Sequence, residues 1–269
     1  MITLRFITDL NQNSAFNMAA DQYLLHKCIN QNTVFIRFYT WKKPTITLGY
    51  MQKPSDTLLL KKMTDDSVNW IRRPTGGRAV LHWGDLTYSC IFPKAFSFMG
   101  TTVKESYALI TRCLIDGLNL AGIECTTHDS YDQLLAVKRE VKLPCFLAPN
   151  RDEIMVNNRK LVGSAQKRVA ESILQHGSIP ISSDYSRLPD YLLVDQSERD
   201  TQKSLLLAKS ICLREINPQI TAESLLIYLR NGFSNILKLD SSMIDWTEQE
   251  LYDINKLASS DEFLKTWVE

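Results

Sequence analysis

The chain has 269 residues and a formal net charge of +1, with 31 Lys and Arg against 30 Asp and Glu. That length can bury a sizeable core, and the charge balance excludes bulk electrostatic binding of nucleic acid. No apolar run approaches the roughly 18 residues of a membrane span. The start, Met1-Ile-Thr-Leu-Arg-Phe-Ile-Thr-Asp9, lacks the basic lead and apolar stretch of a secretory signal, so a soluble, cytoplasmic protein with no membrane partner is expected.

Met1 to Ile7 alternates as a strand. Ser14 is placed to cap a helix through about Ile29, with Phe16, Ala20, Tyr23, Leu24 and Cys28 on one apolar face. Asn17 and Asp21, a turn apart on the same helix, read as an exposed polar face. Val34–Trp41 and Thr45–Leu48 are strands separated by Lys43-Pro44, and Leu58 to Met63 is apolar. Val68-Asn-Trp-Ile71 is a strand that feeds Arg72-Arg73-Pro-Thr-Gly-Gly-Arg-Ala-Val-Leu-His82. Here Gly76-Gly77 can take positive φ and let backbone approach a ligand, with cations at the mouth and His82 at the far end. Leu86 to Phe92 follows as a strand, giving a strand–glycine turn–strand–turn–strand unit. The turn lacks the Gly-Lys-Ser/Thr of a phosphate loop and the G-x-G-x-x-G of a dinucleotide site, so this stretch alone implies no nucleotide.

Thr102 to Leu120 reads as a long helix ending near Gly122, and Ile123 to Thr127 as a strand. Ser130 to Lys142 is polar and ambiguous. Cys145 lies in a loop bounded by Pro144 and Pro149. Glu153–Val156 and Lys160–Gly163 form a hairpin across Asn157-Asn158, and Ile173 to Ile179 is a further strand. From about Leu188 the pattern is helical: Thr221 caps a helix with Gly232 as its stop, and Thr247-x-x-Glu250 and Ser259-x-x-Glu262 match capping boxes. The six cysteines, Cys28, Cys90, Cys113, Cys125, Cys145 and Cys212, include no C-x-x-C pair and none at zinc-site spacing from a histidine, so no metal is expected. A loop thiol and a strand lysine, Cys145 and Lys160, fit a nucleophile and a cation, although each alone is more often an ordinary residue.

Several segments together resemble the biotin/lipoate protein ligase superfamily: Arg72 to His82, Asp85-Leu-Thr-Tyr-Ser89, Arg159-Lys-Leu-Val-Gly-Ser-Ala-Gln166 and Gln175-His-Gly-Ser-Ile-Pro180. Asn17-Met-Ala-Ala-Asp21 and Pro44-Thr-Ile-Thr-Leu-Gly49 match its early motifs. Within that superfamily the chain looks most like the cysteine-dependent octanoyltransferases. The resemblance implies an α+β catalytic domain over residues 1–185, with a mixed, mostly antiparallel sheet and flanking helices, and a helical C-terminal extension over 186–269. It implies transfer of an octanoyl group from octanoyl-acyl carrier protein to a lysine of a lipoyl domain or glycine-cleavage H protein. Cys145 would carry the acyl group as a thioester and Lys160 would contact its carbonyl. Arg73, Gly76, Gly77 and His82 would line the acyl pocket, facing Gly163, Ser164, Ala165, His176 and Gly177. Val80, Leu81 and Val162 are expected to supply apolar tunnel wall. Lys42, Lys43, Arg159, Lys167 and Arg168 are expected to form a basic rim for an acidic carrier. No cofactor is implied; ATP and magnesium would enter only for an ATP-dependent lipoate–protein ligase. Against that alternative, Arg78 stands where ligases usually carry a third glycine, and Gly84-Asp85-Leu-Thr87 replaces their Asp-x-Gly-Asn. A non-catalytic acyl- or lipoyl-domain-binding module is the remaining reading.

Overall fold

The computed structural model describes residues 2–127 and 153–267. The stretch 130–142 and the loop holding Cys145 lie outside those residues. An eight-stranded sheet forms the frame. Its strands in chain order are β1 (Thr3–Gln12), β2 (Thr33–Trp41), β6 (Asp85–Pro93), β7 (Thr126–Thr127), β8 (Ile154–Val156), β9 (Arg159–Val169), β10 (Ser172–Pro180) and β11 (Asp240–Met243). The spatial order is β11-β1-β2-β6-β10-β9-β8-β7. Only β11–β1 and β1–β2 pair in parallel, so the sheet is mixed and mostly antiparallel, as expected. A second sheet of three short strands, β3 (Thr45–Leu48), β4 (Asn69–Arg72) and β5 (Val80–His82), runs β4-β3-β5.

Alternation along the strands divides the core. Leu4, Phe6, Val34, Ile36, Phe38, Tyr88, Cys90 and Ile173 face α3 (Val103–Leu120) and α6 (Ala222–Leu237). Ile7, Phe35, Ile91 and Leu174 face α1 (Ser14–Gln31), whose Leu24, Leu25 and Cys28 fill the other layer. The two-residue turn at Asn157-Asn158 has φ of 50° and 59°, the left-handed pair that closes a tight hairpin between β8 and β9. Thr102 caps α3 in a full capping box with Glu105.

Three local expectations are corrected, and one strand pairing was not foreseen. The α1 cap is Asn13, whose Oδ1 accepts from the Phe16 amide at 2.8 Å; Ser14 is the first helical residue. Strands β4 and β5 do not pair across the glycine turn. Strand β3 lies between them, parallel to β4 and antiparallel to β5. The turn therefore crosses the end of β3. Helix α6 does not stop at Gly232 but passes through it to Leu237. A Cβ at Gly232 would lie 2.4 Å from the Cys113 carbonyl oxygen of α3, so the glycine there is an approach point for two helices. Ser260 Oγ, not Ser259, accepts from the Phe263 amide at the start of α8 (Asp261–Trp267).

The C-terminal segments are tied into the frame. Strand β11 extends the main sheet beside β1, and α7 (Glu248–Ala258) packs on α1. Glu250, almost fully buried, accepts from Arg5 Nη1 at 2.7 Å and from Lys27 Nζ. Burial alone would raise its pKa. The Arg5 and Lys27 hydrogen bonds and the Thr247 amide outweigh this and bring it down to about 2. A folded-state value below the unfolded one stabilises the fold above the ordinary Glu range, and the contribution drains away as pH falls toward 2. After discounting for solvent screening, Glu250→Gln is expected to cost about 1–2 kcal/mol at neutral pH. Urea unfolding at about pH 3 should show that cost reduced by more than half. A pH-independent difference would show that Glu250 acts by packing alone.

Candidate active site

Arg73 leaves β4 buried, and its side chain builds the glycine turn. Its Nε donates to Thr75 Oγ1 at 3.2 Å, and its Nη1 donates to the Thr47 carbonyl at 2.9 Å and the Thr47 hydroxyl at 3.2 Å. Its Nη2 donates to the carbonyls of Gly76 at 2.8 Å and Arg78 at 2.7 Å. The planar fork of a guanidinium suits this joining of a strand end to a loop. Arg72 serves a different end, donating to the Thr266 carbonyl of α8 at 2.6 Å. Gly77 has φ of 96°, the left-handed region open to glycine. Below the turn, a Cβ on Gly49 would lie 1.9 Å from the Gly77 carbonyl oxygen. Gly49 thus admits the turn by having no side chain, a role its place after β3 did not reveal.

His82 ends β5 with its Nε2 3.1 Å from Thr47 Oγ1 and its Nδ1 2.8 Å from Asp85 Oδ2. Asp85 Oδ2 also accepts from Thr87 at 3.0 Å and Ser178 at 2.6 Å. Trp41 stacks on the His82 ring at 4.4 Å between centroids, and its indole N–H donates to Thr87 at 2.9 Å. His176, on β10, places its Nε2 2.7 Å from Thr75 Oγ1 and its Nδ1 3.6 Å from Asp21 Oδ2.

Asn17 and Asp21 correct the reading of α1. Both are fully buried, facing the sheet. Asp21 Oδ1 accepts from Ser89 at 2.8 Å and Arg37 Nη1 at 3.1 Å, and Tyr39 donates to its Oδ2 at 3.3 Å. Asn17 Oδ1 accepts from Arg37 Nη2 at 2.6 Å, and Arg37 Nε donates to Asp9. The signal lay in Arg37, one charge within the apolar run Val34–Trp41. A fully buried guanidinium demands buried acceptors, and Asp9, Asn17 and Asp21 supply them. Burial by itself would raise the Asp21 pKa, but His176, Arg37 and Ser89 hold it below the usual carboxylate range. Burial pushes the His176 pKa down, against the pull of Asp21.

The expected facing wall divides between two faces of the sheet. Gly163 lies opposite Ser178, and Ala165 opposite His176, so these small residues border the histidine on its own face. Ser164 and Gly177 pair with each other and lie on the other face, where Ser164 Oγ is 2.8 Å from the Tyr88 hydroxyl. Lys160 is buried near the start of β9, and its ammonium donates to Glu153 Oε1 at 2.6 Å. Leu81 lies in the core beneath the three-stranded sheet, Val162 lies in the main core, and Val80 packs toward Tyr185 and Leu206. Of the basic rim, Lys42 and Lys43 are exposed. Arg159 is held by Glu215 at 2.8 Å, Arg168 by the Thr101 carbonyl at 2.9 Å, and Lys167 lies over the Tyr50 ring.

Among the described residues, no cluster of three or more His, Cys, Asp or Glu could hold a metal ion, and no helix is long and apolar enough to cross a membrane. The arrangement is a glycine turn held from beneath by an arginine, two histidines on its flanks and a buried lysine on the neighbouring strand.

The chain belongs to the lipoyl protein ligase A/B catalytic domain family, whose model matches residues 13–234. It is 35% identical over 260 residues to the octanoyltransferase LipM of Bacillus anthracis, covering 94% of this chain and 93% of that one. It is 32% identical over 272 residues to the octanoyltransferase LipM of Bacillus subtilis, covering 98% and 97%. In fold it is similar to a bipartite lipoate protein ligase from Thermoplasma acidophilum, with a TM-score of 0.78 at 19% identity, covering 98% of this chain and 96% of that one. A lipoate-protein ligase A bound with ATP gives 0.74 at 20% identity, with 97% of each chain covered.

Proposed function

We propose that this protein is a cytoplasmic octanoyltransferase that moves an octanoyl group from an acyl carrier protein to a lysine of a lipoyl domain or glycine-cleavage H protein, without ATP. The observation that carries this reading is the match, nearly end to end in both chains, to octanoyltransferases. Cys145 is the nucleophile. Its thiolate attacks the carrier thioester, the carrier thiol leaves, and the octanoyl group rests on Cys145 as a thioester. The acceptor lysine's amine then attacks, the Cys145 sulfur leaves, and an amide remains. The first exchange trades one thioester for another and needs no energy input; amide formation is downhill.

The other cysteines support this choice. Burial raises the thiol pKa of Cys28, Cys113 and Cys125 to about 12, and it also raises those of Cys90 and Cys212. A thiol held protonated is a poor nucleophile, so none of these five suits the role. Lys160 and the backbone of the glycine turn stabilise the carbonyl oxygen as it gains charge.

The test is modification of a lipoyl domain by octanoyl-carrier protein in the absence of ATP, read by intact mass. Quantitative octanoylation is expected. Modification only with free octanoate, ATP and magnesium would replace the transferase by a ligase. Binding without modification under both conditions would leave a non-catalytic module.

A further inference from the structure

We propose that Asp21 and Asp85 are positioning residues for the glycine turn, each acting through one histidine and one threonine on the shared guanidinium of Arg73. The proposal rests on the acyl-transfer reading of the same pocket.

Hydrogen-bond polarity carries it. The N–H groups of Arg73 can only donate, so the hydroxyls of Thr47 and Thr75 accept from it. Each hydroxyl keeps one hydrogen, and each has a histidine Nε2 as neighbour: His82 at 3.1 Å from Thr47 and His176 at 2.7 Å from Thr75. Across each ring, Nδ1 faces a carboxylate oxygen, Asp85 at 2.8 Å and Asp21 at 3.6 Å. A bare lone pair on Nδ1 would point at an anion. Each ring therefore carries its hydrogen on Nδ1 and accepts at Nε2.

Two chains of the same polarity result. In each, guanidinium donates to threonine and threonine to imidazole; His82 then donates to Asp85 at 2.8 Å, while His176 Nδ1 faces Asp21 across 3.6 Å, longer than a hydrogen bond. They approach Arg73 from different places, one from β5 and β6, the other from α1 and β10. Thr47, Thr75, His82, His176, Asp21 and Asp85 are all buried, so water does not compete for these bonds. At the junction, Arg73 Nη2 holds the carbonyls of Gly76 and Arg78, which fixes the peptide planes of the turn. The carboxylates thus act at a distance: they set the tautomers, and the tautomers set the threonine hydroxyls on either side of Arg73. Asp21 also pairs with Arg37, so its replacement would mix positioning with loss of fold; Thr75 separates the two.

The experiment has two parts, both on the full chain. A long-range proton–nitrogen NMR spectrum of the imidazoles at neutral pH should show His82 and His176 as neutral Nδ1–H tautomers. The other two of the four histidines are assigned by His26→Gln and His128→Gln. An Nε2–H form or an imidazolium at either His82 or His176 overturns the proposal. In kinetics with octanoyl-carrier protein, Thr75→Val should lower kcat/KM about tenfold, the scale of one buried hydrogen bond, chiefly through KM. Thr75→Ser, which keeps the hydroxyl, should stay within about threefold of the parent. Equal loss in both variants, or none in Thr75→Val, overturns the positioning role. A parent chain that transfers no octanoyl group would fail the acyl-transfer reading instead, and the tautomer spectrum would then decide the hydrogen-bond chains by itself.

Discussion

Cys145→Ala is expected to lower octanoyl transfer at least about 10³-fold, measured as lipoyl-domain modification in single-turnover assays. The size follows from the role. If Cys145 carries the acyl group, its loss leaves the acceptor amine to attack the carrier thioester directly. The remaining thiols do not substitute, since burial holds Cys28, Cys113 and Cys125 at about 12 and raises Cys90 and Cys212 as well. Circular dichroism and thermal unfolding of the variant should match the parent. Retention of more than a tenth of the parent rate would remove Cys145 from the mechanism.

Lys160→Met carries the second large effect, and it is twofold. Loss of the ammonium should cost about 10²–10³ in rate, the scale of one donor to a developing oxyanion. It should also cost about 3–5 kcal/mol of stability, because Glu153 stays buried without that ammonium. The two losses separate in the double variant Lys160→Met/Glu153→Gln. Removing the second charge should restore most of the stability, read by urea unfolding, while transfer stays low. Recovery of transfer along with stability would show that Lys160 serves the fold only.

Strand β3 was legible in the sequence at its true bounds, Thr45–Leu48, because Pro44 and Gly49 punctuate it. The β8–β9 hairpin was equally plain, since Asn157-Asn158 is a local signal with a local cause; the Thr102-x-x-Glu105 cap of α3, equally local, was passed over. What was not legible depends on neighbours distant in sequence. Asn17 and Asp21 have the spacing of a solvated face, and only Arg37, sixteen residues after Asp21 on the strand below, turns them inward. Gly232 looks like a helix stop until α3 is laid against it. The placing of β3 between β4 and β5 could not be read from the strand–turn–strand order around Gly76-Gly77, because a turn sequence tells where a chain bends but not which strand it bends over. In the site, His82, His176 and Arg73 were named from motifs. The threonines and aspartates that orient them lay inside the same matching segments, but what they orient appears only through geometry.

The most direct test of the central claim is intact-mass spectrometry of the full chain mixed with octanoyl-carrier protein, without ATP, beside Cys145→Ser. The account predicts one octanoyl adduct on the parent chain that hydroxylamine removes, and no hydroxylamine-labile thioester adduct on the variant. An unmodified parent chain, or a labile adduct that persists in Cys145→Ser, would contradict it.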